Sequence, residues 1–153
     1  MDGKNYHAWA HRQWAILTYG LVEGELQYTS ILIESGININ IHSFPRLFLF
    51  VLNVLQNLDP FNNSAWNHRW FIVHISGHVS IETLTSEVEY CFENIEKAPK
   101  NDSVWNYMRG IYRKHADIRE LIEPRCNELK TRFESSSPFI PCPPLYSLIA
   151  DIR

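Results

Sequence analysis

A clear hydrophobic pattern in the chain lies between residues 84 and 95. Its apolar residues stand at spacings of mostly three or four, with Glu, Ser, Thr and Asn between them: Leu84, Val88, Cys91, Phe92 and Ile95. This spacing follows the helical turn and places the apolar side chains on one face. The pattern therefore predicts an amphipathic α-helix that packs against a neighbouring element.

A denser apolar run extends from Phe44 to Leu58 and reads FPRLFLFVLNVLQNL. Asn53, Gln56 and Asn57 interrupt it, and it is shorter than the roughly 18 consecutive apolar residues that a membrane span needs. The first residues, Met-Asp-Gly-Lys, also lack the pattern of a signal peptide. The sequence therefore predicts no membrane span.

Three segments of the chain repeat around a tryptophan. They read NYHAWAHR from Asn5, NNSAWNHR from Asn62 and NDSVWNYM from Asn101. Asn and Ser just ahead of the Trp are residue types that accept hydrogen bonds from the free N–H groups of a first helical turn. Each segment is therefore predicted to begin a helix.

The tryptophans of these segments are Trp9, Trp66 and Trp105, and the first two are followed three residues later by Arg12 and Arg69. Residues three apart share a helix face. The indole is therefore expected to pack between helices, while the guanidinium reaches a carboxylate or carbonyl of a neighbouring helix. All five residues are predicted to be structural parts of the repeat.

A second signature alternates with the Trp segments. It reads ELQYTSILIE from Glu25 and EVEYCFENIE from Glu87. Two signatures in fixed order predict an all-α fold of helical hairpins, with repeats at about 3–35, 59–98 and 99–134.

The spacing between the signatures differs between the two copies. Trp105 follows Tyr90 closely, whereas the stretch from Tyr28 to Trp66 is more than twice as long. Removing residues 36–58 makes the two spacings equal and restores the alignment of the flanking segments. This range is therefore predicted to be an insertion in one hairpin.

Three explanations for the insertion stay open. It is an extra element that is helical from about Leu47 and docks on the stack, an extruded loop, or translated non-coding sequence. A retained intron made of codons 36 to 58 would keep the reading frame. The codons of Gly36 and of Leu58–Asp59 can hold the GT and AG splice signals.

Composition and charge argue against some classes of function. The chain of 153 residues is 45% hydrophobic and 20% charged, which is typical of one globular domain over 1–153. Its net charge is −3 and no Lys/Arg run is present, so nucleic-acid binding is not expected. Cys91, Cys126 and Cys142 form no CxxC pair, which predicts no metal site and favours a reducing compartment, the cytoplasm.

The repeated segments resemble those of the protein prenyltransferase alpha subunits. The resemblance is carried by KNYHAWAHRQW, NNSAWNHRWFIV and NDSVWNYMRGI, and it covers about 3–35 and 59–123. Within that family, the motifs are most similar to the alpha subunit shared by protein farnesyltransferase and type I geranylgeranyltransferase. Two alternatives stay open: the Rab geranylgeranyltransferase alpha subunit and a non-catalytic scaffold of the tetratricopeptide kind.

The resemblance implies a right-handed superhelix of antiparallel helical hairpins that curls around a catalytic beta subunit. Such a heterodimer transfers a farnesyl or geranylgeranyl group from its diphosphate to the Cys of a C-terminal CaaX sequence. The resemblance also implies that zinc is bound by the beta subunit, that magnesium assists diphosphate departure, and that this chain holds neither a cofactor nor a catalytic residue of its own.

The resemblance further implies that Tyr6 and His7 line the side facing the prenyl diphosphate. Lys4 is of the right type, and a helix start adds N–H donors for an anion. Donors placed where negative charge develops lower the barrier to bond breaking. The alternative is a buried Tyr and a capping His. The most important lysine of the family lies in an earlier repeat, so Lys4 is not expected to be that residue.

The same resemblance predicts a stack of helical repeats that is truncated at both ends. Residues 135–153 are expected to form a proline-rich turn and the start of a further helix, because Pro138, Pro141, Pro143 and Pro144 forbid a continuous one. Stability in such stacks is nearly a sum of neighbour interfaces. A weakly stable chain that needs a partner is therefore expected.

Overall fold

The computed structural model describes residues 6–35, 63–136 and 141–152, and within them all regular structure is helical. This confirms the predicted all-α fold for the described residues. The chain divides into two compact units, Met1–Gly77 and His78–Arg153. The single repeat domain predicted from the sequence stays a prediction.

The first unit contains α1 (Tyr6–Tyr19), α2 (Glu25–Ser35) and α3 (Asn63–His74). Helix α1 ends where Gly20 takes a φ of 70°, a left-handed conformation that suits glycine, and its N–H donates to the carbonyl of Ile16 at 2.8 Å. Helix α3 packs against both α2 and α1. A short turn that begins at Gly20 and ends at Gly24 thus connects α1 to α2, and α3 packs on both helices.

The core of the first unit is small and partly polar. Its buried apolar side chains are Ile16, Leu32, Ile33, Ala65, Trp66, Ile72 and Val73. Four polar or charged residues are buried as well: Glu25, Thr29, His68 and Arg69. Buried polar groups of this kind need hydrogen-bond partners, so their contacts decide how the helices are joined.

The second unit contains α4 (Ile81–Lys97), α5 (Asp102–Lys114), a short 3₁₀ helix (Ala116–Ile118), α6 (Arg119–Ser135) and α7 (Pro143–Ile152). Helices α4 and α5 form an antiparallel hairpin, and α7 packs against both α6 and α5. The amphipathic helix predicted around residues 84–95 is therefore confirmed as the centre of α4.

The predicted helix start ahead of Trp105 is also confirmed. Asn101 is the N-cap of α5, and its side-chain oxygen accepts a hydrogen bond from the Ser103 N–H at 3.0 Å. The corresponding residues Asn5 and Asn62 lie outside the described residues.

The two hairpin connections differ in length. The chain between α2 and α3 is 36–62, whereas that between α4 and α5 is only 98–101. The longer connection exceeds the shorter by the length of the predicted insertion 36–58, which lies outside the described residues, as does Lys4. Helices α2 and α3 nevertheless pair directly across this interruption. Among the described helices, none is long and apolar enough to cross a membrane.

Candidate functional site

The two hairpins share a buried carboxylate at the same sequence position. Glu25 in α2 and Glu87 in α4 both begin the repeated signature, and both side chains are buried. Each accepts a hydrogen bond from the residue two positions after the repeat tryptophan, from His68 Nε2 at 2.9 Å and from the Tyr107 hydroxyl at 2.6 Å. The repeat is therefore reproduced in its contacts as well as in its sequence.

Glu25 has a further partner in α1. The Arg12 guanidinium donates from Nε to Oε2 at 2.8 Å and from Nη2 to Oε1 at 2.7 Å, a bidentate pair. The same guanidinium lies 3.9 Å from the centre of the Tyr28 ring. With His68 on the other side, one carboxylate joins all three helices of the first unit.

Arg12, Glu25 and His68 form a buried cluster, and the protonation states in it follow from burial and hydrogen bonding. Burial raises the pKa of Glu25, but the hydrogen bonds from Arg12 and His68 outweigh it and hold the pKa below its usual value. Burial lowers the pKa of His68, and the hydrogen bond to Glu25 only partly opposes this. At neutral pH a neutral imidazole therefore donates from Nε2 to a carboxylate anion. Its Nδ1 then carries a lone pair and has no hydrogen-bond partner among the described residues.

Arg69, next to His68, adds further hydrogen bonds between α3 and α2. Its Nη1 donates to the Ser30 hydroxyl at 2.9 Å and to the Thr29 hydroxyl and Leu26 carbonyl at 3.3 Å each. The guanidinium is buried between α2 and α3. These are the contacts expected of a structural residue of the repeat, and Arg12 makes the matching contact to a carboxylate.

The three repeat tryptophans occupy different environments. Trp66 and Trp105 are buried, and the Trp105 indole donates to the Pro99 carbonyl at 2.8 Å. Trp9 is partly exposed, and its ring centre lies 4.9 Å from that of His68. Trp9 thus connects the surface of α1 to the buried cluster.

The residues predicted to face a diphosphate lie in the first turn of α1. The Tyr6 side chain is 76% exposed and His7 is exposed, with their ring centres 5.6 Å apart in an edge-on arrangement. Tyr6 is therefore not the buried tyrosine of the alternative explanation. Their role toward a diphosphate stays a prediction.

A cavity of about 230 Å³ opens between α1 and α3, and it is lined both by Tyr6 and by His68 of the buried cluster. Its walls are formed by Tyr6, Trp9, Ala10, Gln13, Ser64, Asn67 and His68. None of these carries a formal charge at neutral pH, so the cavity offers polar and aromatic contacts and no ion pair. Tyr6 and His68 thus border the same space from opposite helices.

Sequence reasoning did not single out Glu25 and His68. The signal that could have found Glu25 is the Glu that begins both copies of the second signature. For His68 the signal is weaker, because the third copy has Tyr107 at that position.

Metal or thiol chemistry finds no support in the described part of the chain. Its His, Cys, Asp and Glu residues form no group of three that could hold a metal ion. The three cysteines are buried thiols, and burial raises the pKa of the Cys126 thiol to about 12. A thiol with such a pKa is protonated and unreactive at neutral pH.

Comparison with known families matches all three Trp segments. The sequence model described as "Protein prenyltransferase alpha subunit repeat" matches residues 1–19, 46–76 and 84–115, more than half of the chain. The middle match includes 46–58, the second part of the predicted insertion.

Several curated relatives are named "Protein farnesyltransferase/geranylgeranyltransferase type-1 subunit alpha". The protein from Dictyostelium discoideum is 32% identical over 106 residues, which is 68% of this chain and 32% of the relative. Those from Pisum sativum and Arabidopsis thaliana are 37% and 38% identical over 62 and 61 residues, in each case 39% of this chain and 19% of the relative. The matched part thus spans a third or less of each relative. Three repeat matches, each on a described Trp helix, show that the chain belongs to the protein prenyltransferase alpha-subunit repeat family.

Proposed function

We propose that this chain acts as the alpha subunit of a heterodimeric protein prenyltransferase. The complex transfers a farnesyl or geranylgeranyl group from its diphosphate to the Cys of a C-terminal CaaX sequence, in the cytoplasm. The observation that carries this proposal is the set of three family matches, supported by relatives whose names specify this subunit. The partner is a prenyltransferase beta subunit.

The proposed contribution of this chain is to bind the leaving group. Breaking the bond between carbon and oxygen leaves negative charge on the diphosphate, and donors fixed beside that charge lower the barrier. Tyr6 and His7 expose a hydroxyl and an imidazole at the start of α1, where backbone N–H groups also favour an anion. Lys4 is proposed to add a cation to this group.

Proton transfer by the buried cluster is not part of the proposal. His68 is 1% exposed and its Nε2 already donates to Glu25, so this nitrogen is engaged within the cluster. As the family resemblance implies, the zinc that activates the thiol is proposed to belong to the beta subunit, with magnesium at the diphosphate.

The experiment is co-expression of the full chain with a farnesyltransferase beta subunit and measurement of farnesyl transfer to a fluorescent CaaX peptide. A peptide with Ser in place of the Cys is the control for thiol dependence. We expect a stable complex with thiol-dependent transfer. A chain that neither binds the beta subunit nor supports transfer would contradict the proposal.

The role of the first turn is tested in that complex by Tyr6→Phe and His7→Ala. Each is expected to raise the KM for prenyl diphosphate several-fold, because each removes a donor to an anion. Tyr19→Phe is the matched control, since Tyr19 is also exposed but lies at the opposite end of α1. An equal effect of all three changes would contradict a specific role for the first turn.

A further inference from the structure

The Glu25 carboxylate uses both of its oxygens to connect separate helices. Its Oε1 accepts from Arg12 Nη2 at 2.7 Å, while Oε2 accepts from Arg12 Nε at 2.8 Å and from His68 Nε2 at 2.9 Å. Arg12 belongs to α1, Glu25 to α2 and His68 to α3. A change in this carboxylate therefore acts on α1 and α3 together.

The chain of side-chain contacts continues from His68 to the first turn of α1. The His68 imidazole is almost fully buried, and its ring lies 4.9 Å from the Trp9 ring at an angle of 46°. Trp9 stands three residues after Tyr6, on the same face of the helix, and both line the cavity between α1 and α3. Because the Trp9 ring packs directly on the His68 ring, a displaced imidazole changes the contact that holds this part of α1.

From this geometry we propose that Glu25 is a positioning residue, which fixes the first turn of α1 and thereby sets Tyr6 and His7 for the prenyl diphosphate. The inference rests on the proposed function, because it gives the first turn its ligand. Glu25 itself touches neither substrate nor reacting atoms. It acts through Arg12 on one side and through His68 and Trp9 on the other.

The second unit supplies a matched control for this role. Glu87 occupies the equivalent position and accepts from the Tyr107 hydroxyl at 2.6 Å, so it joins α4 to α5. Glu87→Gln and Glu25→Gln each replace a buried carboxylate by an amide of nearly the same shape. Glu25 bonds directly to α1, whereas Glu87 belongs to the other compact unit.

The first measurement is steady-state kinetics of the complex with the farnesyltransferase beta subunit, with rates normalised to the amount of purified complex. For Glu25→Gln we expect kcat/KM for farnesyl diphosphate to fall about tenfold, because small misplacements of positioned donors cost this much or more. The KM for the CaaX peptide should change less than twofold. Glu87→Gln should leave both values within twofold of the wild type.

A combined variant then separates positioning from general weakening. If Glu25 acts through the first turn, Glu25→Gln added to Tyr6→Phe and His7→Ala should lower kcat/KM by less than twofold, because the donors that it positions are already gone. A full tenfold further loss, or an equal loss in Glu87→Gln, would overturn the inference.

The second measurement is amide hydrogen exchange of the full chain, which needs no activity. Glu25→Gln should increase amide exchange of residues 10–13, whose N–H groups donate to the carbonyls of the first turn of α1, at least several-fold, whereas Glu87→Gln should leave it unchanged. If the wild-type complex shows no transfer, the proposed function fails. In that case, unchanged protection of residues 10–13 in Glu25→Gln would overturn the inference as well, and increased exchange would support the claim that Glu25 fixes the first turn of α1.

Discussion

The hairpin of α2 and α3 and the hairpin of α4 and α5 are two copies of one repeat, held together by different chemistry. Two residues after the signature Tyr, the first has Ser30 and the second Phe92; three residues after the Trp, the first has Arg69 and the second Met108. Arg69 donates to Ser30 at 2.9 Å, whereas Phe92 and Met108 are both buried and apolar. The same helix pairing is thus compatible with a polar or an apolar interface.

The buried carboxylates of the two hairpins also differ in their partners. In the second hairpin a neutral phenol donates to Glu87, whereas in the first a guanidinium and an imidazole converge on Glu25. Buried ionic groups gain little net stability over apolar packing, but the loss of one partner is strongly destabilising. The first hairpin is therefore expected to respond more than the second to pH and to the loss of one polar partner.

The largest effect is expected when the arginine of the polar interface is introduced at the equivalent position of the apolar one. Met108→Arg places a guanidinium at a fully buried position, and the equivalent α4 residues, Cys91 and Phe92, offer no oxygen acceptor in their side chains. An unpaired buried charge is expected to lower the free energy of unfolding by about 3–5 kcal/mol. Chemical denaturation monitored by circular dichroism measures it.

Met108→Leu is the control, because a volume-conserving apolar exchange usually costs less than about 1.5 kcal/mol. If Met108→Arg were tolerated as well as Met108→Leu, the two interfaces would not differ as described.

The second effect concerns the unequal connections. Deletion of 36–58 shortens the connection between α2 and α3 to the length of the connection 98–101 between α4 and α5. Treated as closure of a flexible chain, this change should stabilise the first hairpin by about 1.7 kcal/mol. Comparison of the deletion variant with the wild type by denaturation, with exchange of α2 and α3 as a local readout, measures it.

A chain with 36–58 replaced by a Gly/Ser linker of equal length is the matched control. Equal stability of linker and wild-type chains would show that 36–58 adds nothing to folding, as expected of an insertion or a retained intron. Loss of stability in both engineered chains would show that the segment docks. Transcripts that lack codons 36–58 would identify the intron.

The third effect is acid sensitivity of the first hairpin. Because the pKa of folded His68 is lowered, the unfolded chain binds more protons, and stability falls as pH drops below about 6.5. The lowered pKa of Glu25 adds a further loss below about 4.5. One proton contributes a slope of at most about 1.4 kcal/mol per pH unit.

Denaturation between pH 7.5 and 5 measures this slope. His68→Gln keeps an N–H donor for Glu25 and no longer titrates, so it should reduce the slope above pH 5, and the lowered pKa of His115 accounts for a remaining slope of the same sign. A slope that is unchanged in this variant would assign the proton uptake to another group. Exchange of α4 and α5 over the same range provides the internal reference.

The smallest effect is expected at a surface ion pair of the second unit. Arg132 Nη2 lies 3.0 Å from Glu96 Oε1, and both side chains are about half exposed. Exposed pairs contribute about 0–1 kcal/mol, so Glu96→Gln should shift the unfolding free energy by less than about 0.5 kcal/mol in the same denaturation experiment. This is far less than the effect of Met108→Arg. A larger loss would mean that surface charge contributes as much as the buried contacts.

Much of the fold could be predicted from the sequence, because its signals are periodic and repeated. The Trp segments and the two Glu signatures predicted helices that the structure shows as α1 to α5. The insertion at 36–58 stays a prediction. The range 135–153 was expected to contain the start of a further helix, and the structure shows α7 from Pro143. Prolines in a first turn lose no helical hydrogen bond, so they begin this helix.

The candidate site could be predicted only in part. The first turn of α1 came from a resemblance, and sequence left open whether Tyr6 is buried or exposed. The partnership of Glu25 with His68 was not predicted, because helical periodicity gives the face of each residue but not its partner on another helix. The equivalent position in the other hairpin is Tyr107, so no shared residue type marked it.

The interrupted hairpin also has a consequence for the order of folding. The hydrogen bond between Glu25 and His68 joins residues 43 apart in the chain, whereas that between Glu87 and Tyr107 joins residues 20 apart. Contacts between distant residues form more slowly, because the entropy of closing the intervening chain must be overcome first. We therefore expect α4 and α5 to pair before α2 and α3, so that the first turn of α1 becomes ordered only late in folding.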